Sequence, residues 1–364
     1  MKRSHFFFIL FLSVILGGCG DVGYYAQCIG GHLQLMTKTR SIDSLVEDPR
    51  TPPELRQRLE LVRDIRDYAS RDLLLPDNGS YRSYADLGRP YVVWNVVATP
   101  EFSLDPVSWC FPVAGCVPYR GYFKEEAAQK FAEGLRATGH DVFVYGVPAY
   151  STLKWFDDPV LNTFCHREET YLAALIFHEL AHQQLYIKND SSFNEAFAKT
   201  VELVGLERWL ETQGQGAKIE TYLAGLTREE QFIALLLRIR AQLAEVYAQP
   251  LGDELKREKK QEVLREFQTQ YAALKDSWGG FSGYDHWLKR TLNNAHFASV
   301  STYHTLVPAF RTLLARQDGD LARFYAEARA LALLPREQRQ QALTQLLKDA
   351  EQLAQTAGES TENL

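Results

Sequence analysis

Between residues 168 and 188, apolar side chains recur at helical spacing, at Tyr171, Leu172, Leu175, Ile176, Leu180 and Leu185, and neither Pro nor Gly interrupts the run. The pattern predicts an α-helix with a broad apolar face. The turn-prone run Asn189-Asp190-Ser191-Ser192 follows, and a second helical pattern opens at Asn194-Glu195-Ala196-Phe197-Ala198. So short a connection makes the two helices neighbours. Upstream the pattern is different: residues 91–97 read as a buried strand, with strand-like pieces near 113–122 and 141–147 and a helix at 124–138 between those two. Val-, Tyr- and Phe-rich strands joined by one helix predict a small mixed sheet placed before the helix at 168–188.

At the N-terminal end, residues 24–36 are apolar enough to pack on the body. Thr51-Pro52-Pro53-Glu54 opens a helix running to about Leu75, and Pro76-Asp77-Asn78-Gly79 stops it. Its charges, Arg56, Arg58, Glu60, Arg63, Asp64, Arg66 and Asp67, alternate in sign and read as a solvated face. From Thr200 onward the chain is helical in pattern, with breaks at Gln213-Gly214-Gln215-Gly216 and Pro250-Leu251-Gly252 that predict helical hairpins. A loop-rich island at 278–304 holds His286, His296, Tyr303, His304 and the pair Asn293-Asn294; helix resumes after Pro308, and 356–364 reads as a disordered tail. The fold class expected is α+β, mainly helical. A helical N-terminal part at 19–90 leads to the sheet and paired helices at 91–210, and a helical C-terminal lobe spans 211–355.

Residues 1–18 stand apart. Lys2 and Arg3 precede an apolar run from Phe6 to Leu16, followed at once by Leu16-Gly17-Gly18-Cys19. The run is too short to span a bilayer, which needs roughly 20 apolar residues, and the pattern reads as a bacterial lipoprotein signal peptide with Cys19 as the lipid-bearing N-terminus. The expected location is the cell envelope, lipid-anchored and facing the periplasm, and Gly20 in place of an aspartate points to the outer membrane. The formal net charge is −6 at pH 7, and losing Lys2 and Arg3 makes the chain more acidic still. Nucleic acid is therefore not an expected partner. The envelope permits disulfides: Cys110 and Cys116 flank a short Pro/Gly-bearing turn and are expected to pair, for about 2 kcal/mol given so small a loop. Cys28 and Cys165 have no evident partner and read as small buried residues.

The chemistry concentrates in the helix at 168–188, which contains His178-Glu179-Leu180-Ala181-His182. Residues four apart on a helix lie one above the other, so His178 and His182 present two imidazoles to one point with Glu179 beside them. With nine histidines in the chain, such an HExxH arises by chance on the order of 1 % of the time, so the motif is a signal. Glu195 can return from the second helix as a third ligand to zinc, leaving a fourth position for water, as catalytic zinc sites do. Alternatively, Ser192-Phe193-Asn194-Glu195 forms a capping box in which Glu195 reaches back to the Ser192 N–H. Glu202, two turns further along the same face, is then the reserve ligand. Beside the helix, the loop at 148–159 could wall a pocket, with Asp157 or Asp158 meeting a cationic group such as a free amino terminus, or it forms a structural turn with an Asx-type hydrogen bond.

These stretches resemble a bacterial family described as zinc aminopeptidases of the gluzincin group, the likeness covering nearly the whole chain after residue 18. It is carried by Gly30-Gly31-His32, Tyr81-Arg82-Ser83-Tyr84-Ala85-Asp86-Leu87-Gly88-Arg89-Pro90, Gly146-Val147-Pro148-Ala149-Tyr150-Ser151-Thr152-Leu153, Phe177-His178-Glu179-Leu180-Ala181-His182-Gln183, Asn194-Glu195-Ala196-Phe197-Ala198 and Asn293-Asn294-Ala295. The resemblance implies a zincin-like core, His178, His182 and Glu195 as zinc ligands, Glu179 as base, and a peptide or protein substrate. Tyr303 is the candidate oxyanion donor, since a phenol hydrogen-bonds a developing negative charge without adding charge of its own. The competing expectation is a non-catalytic, zinc-containing envelope lipoprotein that binds unfolded proteins or peptides. Retention of Glu179 argues against it, because a purely structural site needs no base.

Overall fold

The computed structural model describes residues 19–111, 115–149, 156–288, 291–300 and 306–361, most of them helical. In chain order, α1 (Cys19–Lys38) leads through β1 (Arg40–Ser41) and α2 (Ile42–Glu47) to α3 (Pro53–Arg71) and β2 (Ser83–Ala85). Next come β3 (Val93–Pro100), β4 (Trp109–Phe111), β5 (Gly115–Val117), β6 (Arg120–Tyr122), α4 (Glu125–Ala137), β7 (His140–Val147), β8 (Val160–Leu161) and α5 (Asn162–Cys165). The rest is helical: α6 (Glu169–Gln184), α7 (Ser191–Thr212), α8 (Ala217–Ala248), α9 (Asp253–Ser277), α10 (Asp285–Leu288), α11 (Asn294–Ala298), α12 (Val307–Ala315), α13 (Leu321–Leu333) and α14 (Arg336–Thr361). The last helix continues through most of the stretch expected as a tail, since its Ala-, Gln- and Leu-rich run has no proline to stop it.

The strands expected at 91–97 and 141–147 form one sheet of order β6-β3-β7 with the end of the piece expected at 113–122; the start of that piece is β5, which pairs with β4 instead, and residues 113–114 lie outside the described residues. That sheet is antiparallel throughout and not mixed: Val93 pairs with Val147 and Pro100 with His140, while Trp94 pairs with Tyr122 on the other side. The helix α4 does link β6 to β7, but β3 lies between them and splits the parallel pair that a strand–helix–strand link otherwise makes. A mixed sheet does occur in the short β1-β2-β8 set, where β2 runs antiparallel to β1 and parallel to β8. Across the β4–β5 pair, Cys110 and Cys116 are directly opposite and joined by a disulfide. Cys165 is buried, whereas Cys28 is only half-buried.

The largest buried cluster joins α3, α6, α7, α12 and α13, so the paired helices sit in the core of the molecule. The α8–α9 hairpin has its own cluster and is clipped to the sheet by Asn294. The Asn294 amide donates to the carbonyls of Glu101 at 2.8 Å and Ser103 at 3.1 Å, its oxygen accepts from Tyr247 at 2.7 Å, and its N–H donates to Asp141 at 2.9 Å. The Asn293-Asn294 pair thus holds two lobes together.

One expected surface charge lies inside. Arg66 is fully buried, and its guanidinium donates to the carbonyls of Pro76 at 2.7 Å, Ser80 at 2.8 Å and Asn78 at 3.1 Å. The loop it gathers then reaches α6: the Asn78 amide donates to Gln183 at 2.7 Å, and Gln183 donates to the Ser80 hydroxyl at 3.1 Å. A buried arginine satisfied by carbonyls braces the helix that carries the HExxH motif. Arg66→Met should cost about 3 kcal/mol, because it leaves several buried carbonyls without donors. A shift in the denaturant midpoint worth less than about 0.5 kcal/mol would show that the loop is held by other contacts.

Candidate metal centre

The helix α6 is apolar on nearly every side, with Leu172, Ala173, Ile176, Phe177, Leu180 and Ala181 all buried, as expected for a core helix. It ends at Gln184, where Leu185 turns extended. The chain then doubles back through residues 185–190, a return secured by three side chains. Asn194 clamps Ile187 from both sides, accepting from its N–H and donating to its carbonyl, each at 2.8 Å. Asp190 caps α7 by accepting from the Phe193 N–H at 3.3 Å, and the buried Arg339 of α14 binds the same carboxylate at 2.7 Å. The pairing of α6 with α7 is close: a Cβ at Gly205 would lie 2.6 Å from Leu73 and 3.0 Å from Phe177.

That geometry brings together three of the residues singled out from the sequence. The Nε2 atoms of His178 and His182 are 3.1 Å apart, and the Glu195 Oε2 lies 3.3 Å from the first and 3.7 Å from the second. The N-cap of α7 is Asp190 and not Ser192, so the capping box weighed for Glu195 does not form, and the Glu195 carboxylate lies against the imidazoles. Glu202 is elsewhere on His178: its Oε2 meets Nδ1 at 2.9 Å. It also accepts from Lys199 at 2.7 Å and from the Tyr222 hydroxyl. Sequence reasoning took Glu202 as a reserve ligand and missed Lys199 and Tyr222; the i,i+3 spacing of Lys199 and Glu202 was the one available signal.

The donor set fits a zinc ion. Tetrahedral ligands at 2.0–2.2 Å from a metal lie about 3.3 Å from one another, and the three separations bracket that value. The local field also favours positive charge. Burial alone would lower the His178 pKa, but hydrogen bonds to Glu195 and Glu202 and the charges of Glu202 and Glu179 raise it to about 10. Burial would likewise raise the Glu195 carboxyl, yet the two imidazoles hold it well below the usual carboxylate range. For Glu202, burial is outweighed by His178 and Lys199, and its pKa is lowered. Two carboxylates kept ionised, the half-buried Glu195 against both imidazoles and the buried Glu202 against His178, make a place for a cation.

Glu179 is half-buried and, with His178, borders a cleft of about 1100 Å³ between α6 and α8, whose walls include Tyr171, Leu175, Tyr222 and Leu226. His182 and Glu195 do not line this cleft, nor do Asp157 and Asp158. Asp158 is buried and its carbonyl accepts from the Tyr81 N–H at 2.7 Å, while Asp157 sits over Gly79, where a Cβ would come within 2.3 Å of its carboxylate. The expected acidic wall of the pocket is thus a packing element of the loop at 76–81. In the later island, His296 stacks on Phe143 at 4.0 Å and is part of the sheet's packing, and Tyr303 lies outside the described residues.

No curated protein and no solved structure matches the chain significantly. A family model described as "Putative aminopeptidase" matches residues 23–343, which takes in the sheet, the paired helices and the α8–α9 hairpin. With so much of its length matched, the chain belongs to this aminopeptidase family.

Proposed function

We propose that the protein is a zinc-dependent, zincin-like peptidase of the aminopeptidase type, attached to the bacterial envelope through lipid on Cys19. The observation that carries the peptidase reading is the convergence of His178, His182 and Glu195, with His178 and its neighbour Glu179 also bordering a cleft. Zinc, when bound, supplies Lewis acidity, polarising a peptide carbonyl and lowering the pKa of water towards about 7.

The chain's own residues do the rest. His178 and His182 offer Nε2 and Glu195 its carboxylate. Glu202 accepts the Nδ1 proton of His178, which fixes the ring and the tautomer whose Nε2 lone pair faces the other two ligands. Glu179 takes the proton from water as its oxygen attacks the scissile carbonyl carbon, then passes that proton to the leaving nitrogen as the C–N bond breaks. Tyr303 remains the residue proposed to donate to the developing oxyanion. The cleft wall carries carboxylates (Glu168, Glu169, Glu229) and cations (Lys218, Arg228) together, so the preference for removal of N-terminal residues rests on the family's description.

Two variants separate the roles of the α7 carboxylates. Glu195→Gln should weaken zinc at least 100-fold in competition with a chromogenic chelator, since one of three protein ligands is lost. Glu202→Gln should still bind one zinc, about 10- to 100-fold more weakly, because only the orientation of His178 suffers. The opposite ranking would make Glu202 the ligand. For the anchor, Cys19→Ser should abolish incorporation of a labelled fatty acid, and undiminished labelling of that variant would place the lipid elsewhere.

A further inference from the structure

Helix α1 is two-sided in a way that the catalytic reading does not use. One side is docked tightly: Tyr24 stacks on Phe111 at 5.4 Å, Leu35 is buried, and a Cβ at Gly31 would fall 2.1 Å from the Phe123 ring. The other side carries Ile29 and Leu33 at 61 % and 57 % exposure, in line with Tyr25, which at 38 % forms the border because its ring also meets Phe111 edge-on at 6.4 Å. Gly23 and Gly30 continue that side, with open space where a Cβ would stand. From residue 22 to 37 there is no Asp, Glu, Lys or Arg. An exposed helix face facing water ordinarily carries such charges.

We propose that this face of α1 lies on the lipid bilayer, with Tyr25, Ile29 and Leu33 entering the headgroup–acyl boundary. The proposal rests on the lipid attachment at Cys19, which is the first residue of the same helix. At 1.5 Å per residue the stripe begins about 9 Å from the anchor and ends about 21 Å from it, so an acylated N-terminus holds it at the surface. An uncharged, apolar stripe suits the acyl boundary and draws nothing from anionic headgroups. Among the described residues no helix is long and apolar enough to cross a membrane, so α1 lies on the bilayer and does not span it. Because the opposite side of α1 is locked to Phe123 and Phe111, a helix lying on the membrane also sets the orientation of the body.

The test uses the mature chain, residues 19–364, carrying Cys19→Ser, so that neither acyl chains nor the leader contribute. Flotation with vesicles of phosphatidylethanolamine and phosphatidylglycerol should recover this chain with the lipid, and adding Ile29→Glu and Leu33→Glu should lower the partition coefficient at least tenfold. Both positions are exposed, so circular dichroism and zinc content should be unchanged and report folding independently. No flotation of the Cys19→Ser chain, or equal flotation with and without the two glutamates, overturns the proposal. So does a dimer in sedimentation that the glutamates dissolve in the absence of vesicle binding, since a second copy then covers the face. Fatty-acid labelling of the unaltered precursor reads the anchor separately: flotation without labelling supports the helix face and removes the anchor.

Discussion

Every feature of the site depends on the return of the chain from α6 to α7 through residues 185–190. Two histidines on one helix can meet a carboxylate from the next only if the connection is both short and rigid, because a displacement of 1 Å would open the three separations beyond what one ion can bridge. Asn194, Asp190 and Arg339 supply that rigidity with side-chain bonds to the connection and the helix start. Gly205 lets α7 pass close to Leu73 and to Phe177 of α6.

Burial gives the cluster its electrostatic character. Glu202 is almost wholly inside and stays ionised because His178, Lys199 and Tyr222 all donate to it. Each donor comes from a different part of the paired helices or from α8, so the wall of the cleft and the orientation of His178 are mechanically linked through one carboxylate. Behind α6, the buried Arg66 performs the matching task for the loop at 76–80. Charges placed inside the protein are tolerated in both cases because each has hydrogen-bond partners on several sides.

Periodicity and local motifs were legible in the sequence. The paired helices, the three strands of the main sheet and the Cys110–Cys116 bond stand where the residue pattern indicates, and so does the approach of Glu195 to the two imidazoles. Long-range choices were not. A charge pattern along α3 cannot reveal that one arginine, Arg66, turns inward, since its partners are carbonyls that any residue type provides. Strand direction in the sheet was misread because β3, distant in the connection, separates β6 from β7. Ser192 and Asp190 are both good helix caps, and Asp190, the one that caps α7, is also held by the distant Arg339, a contact that local sequence does not reveal.

The most direct measurement pairs zinc content with turnover of a peptide bearing a free amino terminus, in the zinc-loaded native chain and in Glu179→Gln prepared alike. The account predicts about one zinc in each and hydrolysis by the native chain that falls about 10²- to 10⁴-fold in the variant, since the metal is kept and only the proton acceptor is lost. Equal turnover by the two proteins, or no cleavage of any peptide by a native chain that holds its zinc, would contradict it.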